Sequence, residues 1–150
     1  MSNLQTKTKL KNKTMIDYLS FSGSRTLDYD KVRDLIVKEI KKHNPKIVIT
    51  HGEPAGVCQL VQEECKKLGV PLLLFFIEKK YGRGIYHVRT IKLMKMSNYA
   101  IFIHDGESKG TNNELEVAKK FKIPYTYHRI EIDEDWSDEL LINFEEEMLL

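Results

Sequence analysis

Five apolar, β-branched or aromatic runs of strand length recur along this chain with a helical pattern between each pair, and that alternation restricts the possible folds more than any other feature. The runs lie at residues 16–21, 46–50, 71–77, 99–104 and 124–129. None alternates cleanly between apolar and polar, as expected of strands buried on both faces. The helical patterns cover 29–42, with Val32, Leu35, Ile36 and Ile40 on one face, then 55–68, 85–97 and 115–121. Strand alternating with helix predicts a parallel α/β sheet. Short connections and right-handed crossovers predict a doubly wound, Rossmann-like sheet of five strands in the order 3-2-1-4-5. Strands 1 and 4 are then neighbours whose following helices lie on opposite faces. A crevice opens beyond their carboxyl ends, the place where such sheets bind ligands.

With 150 residues, 41% of them hydrophobic, one domain with a substantial core is expected, spanning 15–130. Residues 1–14 read as a disordered basic tail. Residues 131–150 read as an acidic linker followed by an amphipathic helix that uses Leu140, Leu141, Phe144 and Leu149. That helix either closes the sheet edge or pairs with a second copy, so a homodimer is expected. Trp136 reads as an edge-packing anchor.

The longest apolar run, VPLLLFFI, is far short of the roughly 20 residues a membrane helix needs, and no secretory-type stretch opens the chain. A cytoplasmic location is the expectation, with a weak organelle-targeting reading of the acid-free N-terminal segment left open. Cys58 and Cys65 lie seven apart in a helical pattern, roughly 10 Å along its axis, too far for a disulfide. Without a CxxC pair or clustered histidines they read as packing thiols rather than metal ligands, and neither metal nor cofactor is expected.

The net charge of +2 conceals an asymmetry, because the first 15 residues carry four lysines and no acid while the last 20 carry nine acids and no base. With both ends set aside the body keeps a surplus of +7, which suits a phosphate-bearing ligand and equally suits a solvated lysine surface. The lysines are dispersed and no aromatic-basic ladder accompanies them, which argues against nucleic acid.

Two glycine-bearing loops fall at the expected switch point: SFSGSRT after strand 1 and HDGESKGT after strand 4. Glycine lets backbone approach a ligand, and free N–H groups at a helix start attract anions. Ser22, Gly23, Ser24 and Arg25 from the first loop, with Asp105, Gly106, Ser108, Gly110 and Thr111 from the second, are the candidate ligand-binding residues. Lys109 adds charge. A third loop, ITHGEPAGV, places Gly52 and Gly56 at the start of helix 2, with Pro54 in its first turn. His51 there reads more readily as structural. Thr111-x-x-Glu114 has a plain alternative as a capping box, in which Thr111 caps the helix and Glu114 reaches back to its backbone N–H. Arg89, beside the apolar stripe of helix 3, either snorkels from it or points into the crevice and holds a phosphate by two parallel hydrogen bonds.

Taken together, GSR at Gly23 to Arg25, HGEPAGV after strand 2, VRT in helix 3 and the DG-x-S-x-GT pattern of Asp105, Gly106, Ser108, Gly110 and Thr111 resemble the SLOG superfamily of Rossmann-like domains. The DUF2493 or YspA-like members are nearest, with DprA and the LOG phosphoribohydrolases more distant. The resemblance covers residues 16–130 and implies that a nucleotide or nucleotide-derived ligand binds across these loops, as in a sensor. Where those relatives carry HGG, this chain has His51, Gly52 and Glu53, a carboxylate in a phosphate-like position. The phosphoribohydrolase branch implies a rival function, hydrolysis of the N-glycosidic bond of a nucleoside 5′-monophosphate. Glu114 and Arg89 would be its catalytic residues, Glu114 stabilising charge at the ribose and Arg89 anchoring the phosphate. A purely structural interaction module built on the acidic tail is the third reading.

Overall fold

The computed structural model describes residues 15–131 and 142–148. Its parallel strands are β1 (Ile16–Gly23), β2 (Pro45–His51), β3 (Leu72–Phe75), β4 (Tyr99–His104) and β5 (Tyr125–Glu131). Between them lie α1 (Asp30–His43), α2 (Gly56–Leu68), α3 (Ile85–Met96) and α4 (Lys109–Lys120), with a short 3-10 segment at Lys79–Gly84 before α3. The sheet runs β3-β2-β1-β4-β5, the expected 3-2-1-4-5 order, with all four of those pairings parallel.

Adjacent residues in a strand point to opposite faces, so the buried runs feed two cores. Phe21, Ile101 and Ile103 pack with Val32, Ile36, Val57 and Val61 from α1 and α2. Ile49, Ala100 and Phe102 pack with Leu93, Met94 and Val117 from α3 and α4. Helices 1 and 2 therefore cover one face and helices 3 and 4 the other, which leaves the carboxyl ends of β1 and β4 uncovered between them.

The C-terminal segment departs from expectation. Ile142–Met148 forms a sixth strand, β6, antiparallel to β5, with Arg129 opposite Phe144 and Tyr125 opposite Met148. The segment carries a strand period as well as a helical one. An amphipathic helix would have left the outer edge of β5 with open backbone N–H and C=O groups, whereas a strand pairs them. The expected dimer helix is thus replaced over these residues; Leu140, Leu141, Leu149, Trp136 and residues 1–14 lie outside the described residues. No helix among the described residues is long and apolar enough to cross a membrane.

Candidate functional site

A cavity of about 340 Å³ lies between the β1, β2 and β4 loops, the start of α4 and the flank of α3. Gly23, Ser24, Arg25, Ser108, Gly110, Thr111, Arg89 and Glu114 all line it. The sequence-selected residues of strands 1 and 4 and of helix 3 are thereby brought to one place. His51, Glu53, Cys58, Tyr86 and Lys109 complete much of the wall.

Five selected residues stand behind that wall and shape it. Asp105 is the knot between loops. Its carboxylate accepts the backbone N–H groups of Glu107 and Ser108, each at 2.8 Å, and the hydroxyls of Thr26 at 2.8 Å and Ser108 at 3.0 Å. The Asp105 N–H in turn donates to Ser24 Oγ at 3.0 Å. Burial would raise the Asp105 carboxyl, but these donors outweigh it and hold it well below the usual carboxylate range. Gly106, at φ +90°, lies against the Arg129 guanidinium. Gly56, at φ +61°, is packed so closely that an added Cβ would collide with the backbone of Ser24 and Arg25. Gly52 faces the Phe76 ring, and Ser22 is buried in β1 with a hydroxyl that has no protein partner.

The capping-box reading of Thr111 and Glu114 is overturned. Helix α4 begins at Lys109, well before Leu115, because Asp105 accepts the N–H groups just ahead of it and Asn112 N–H already donates to the Ser108 carbonyl. Ser108 occupies the cap position without a side-chain cap bond. Thr111 is therefore inside the first turn and buried. Pro54 likewise precedes the first helical residue of α2, Gly56. His104 steadies the turn from both sides: one ring nitrogen meets the Ser108 carbonyl at 3.0 Å, and the other meets the Tyr127 hydroxyl at 2.6 Å. Nε2–H donates to the carbonyl, so Nδ1 accepts from tyrosine.

Glu114 reaches His51 instead of its own helix end, with Oε2 at 3.0 Å from Nδ1. His51 is 2% exposed, and its Nε2 has no protein partner. A second buried pair stands opposite. Arg89 Nη1 is 2.7 Å from Glu53 Oε2, the guanidinium lies 5.4 Å from the Tyr86 ring centre, and Nε is buried without a partner. Glu53 Oε1 also meets Arg25 Nη2 at 3.0 Å. Sequence reading set His51 aside as structural and registered Glu53 only as a misplaced carboxylate. Both sit at the carboxyl end of the strand beside β1, and that position is the signal that could have included them.

Cys58 lines the cavity but offers no nucleophile, since burial pushes its thiol up to about 11 against the Thr50 hydroxyl. Burial also pushes Cys65 up to about 12. Both cysteines are free, and no group of metal-ligating side chains is found among the described residues.

A doubly wound parallel sheet with a polar cavity at its switch point defines a Rossmann-like α/β domain. Among solved structures, two of the Moco carrier protein from Chlamydomonas reinhardtii match it, each with a TM-score of 0.55 over 73% of this chain and 74% of that one, at 18% and 19% identity. The likeness is one of fold. No family model and no curated protein matches the sequence.

Proposed function

We propose that the cavity binds a nucleotide or nucleotide-derived small molecule, in the manner of a sensor or carrier. One observation carries this reading: two buried donor-bearing side chains, Arg89 and His51, each present an unpartnered ring or guanidinium nitrogen while lining a single cavity. Unpaired buried polar atoms are costly in a folded protein, and a ligand rich in oxygen and nitrogen would satisfy both. The uncapped start of α4 adds backbone N–H groups suited to an anion. The fold neighbours fit a small-molecule role, their name being that of a carrier of the molybdenum cofactor.

The test is calorimetric titration of the full chain with nucleosides and their phosphorylated forms. Phosphorylated compounds should bind more tightly than nucleosides. Arg89→Ala should remove that advantage, by about 1.5 to 3 kcal/mol for a lost charged hydrogen bond. Absence of saturable binding by any of them rejects the reading. N-glycosidic hydrolysis is the second reading, favoured by the placement of the Glu114 carboxylate and Arg89 on the same cavity. Release of free base in the same mixtures, abolished by Glu114→Gln, would establish it.

A further inference from the structure

Arg89 spends only part of its guanidinium on the protein. Its hydrogen bond and ion pair both run from Nη1 to Glu53, while Nε is buried and unpartnered and the side chain is 7% exposed. The edge formed by Nε and Nη2, a pair of parallel N–H groups that matches two oxygens of one anion, is therefore left open in a cavity wall. Glu53 is itself fixed, because its backbone carbonyl accepts from Gln62 Nε2 at 2.9 Å and its second oxygen holds Arg25.

The charge around the cavity is nearly balanced. Arg25, Arg89 and Lys109 stand against Glu53 and Glu114, a surplus of one positive charge. Burial alone would raise the Glu53 carboxyl, but the Arg89 hydrogen bond and the charges of Arg89 and Arg25 bring it below its usual range. It is an anion at neutral pH.

We infer that Glu53 is a positioning and specificity residue: it grips Arg89 by Nη1 so that the Nε–Nη2 edge receives a singly charged, two-oxygen group, and its own charge disfavours a doubly charged terminal phosphate. Resting on the nucleotide reading above, this narrows the ligand to one whose phosphate is esterified on both sides, such as a phosphodiester or an inner phosphate of a pyrophosphate. A free 5′-monophosphate is the poorer fit.

The test uses the full chain and two small anions, dimethyl phosphate as the monoanion and methyl phosphate at a pH where it is a dianion. The Arg89 Nε–H resonance reports on both. Wild type should prefer dimethyl phosphate. Glu53→Gln keeps an oxygen for Nη1 but removes the charge, and should move the preference toward methyl phosphate by about tenfold, as expected for one charge at close range in a partly screened cavity. Arg25→Gln should move it the other way. A wild-type preference for methyl phosphate, an unchanged ratio in Glu53→Gln, or an Arg89 Nε–H that neither anion shifts would each overturn the inference. Since these probes carry neither base nor sugar, failure of nucleotides to bind would reject the nucleotide reading separately and leave this measurement intact.

Discussion

Glu114 is held by a histidine from another strand rather than by its own helix end, which separates its two conceivable contributions. Glu114→Gln keeps an oxygen for the His51 Nδ1–H, so urea unfolding should show a loss of no more than about 1 kcal/mol. If the carboxylate serves the ligand, the same variant should weaken ribose recognition, or base release if that occurs, well beyond this figure. An affinity that merely follows stability would return Glu114 to a structural part. Neither His51–Glu114 nor Glu53–Arg89 was legible in the sequence. Each pair joins different elements and depends on which loops the sheet order brings together, whereas local spacing offered Thr111-x-x-Glu114, a cap the chain does not use.

The strands and helices of 15–131 were legible because each obeys one period strongly. Runs such as those of β1 and β4 are apolar on both faces and can be little else in a chain that alternates. The C-terminal segment satisfied two periods at once, and the open edge of β5 decided between them. Loop glycines behave differently again: Gly56 was selected as a ligand contact, yet its task is to let the β1 loop pack onto α2, with Val57 N–H donating to the Ser24 carbonyl at 3.2 Å. Gly56→Ala combines a disfavoured φ with a backbone collision. It should lower stability by about 2 kcal/mol or more and weaken ligand binding with it, both read from thermal melts with and without nucleotide. A melt unchanged from wild type would show that the two loops are not packed this tightly.

On the scale of the whole molecule, one buried carboxylate ties a helix to the far side of the sheet. Glu39 of α1 is 2% exposed and lies 2.6 Å from His128 of β5 and 3.2 Å from His43. Burial alone would raise its carboxyl, but the two histidines bring it down to about 2 from an ordinary 4.5. A carboxyl lowered in the folded state stabilises it above the ordinary value, and that stability is lost as pH falls from about 4.5 toward 2. Glu39→Gln should therefore be clearly less stable than wild type at about pH 6, with the gap in urea midpoint closing on acidification. A gap that does not vary with pH would remove Glu39 from the acid response. The same interior also hides the only two sulfhydryls of the chain, Cys58 and Cys65, whose ionisation burial opposes. The native protein should thus react only slowly with aromatic disulfide reagents and release two equivalents on unfolding. A single cysteine substituted for the exposed Lys109 at the cavity mouth would then accept a fluorophore against a silent background, so that occupancy could be followed by emission without removing either native thiol.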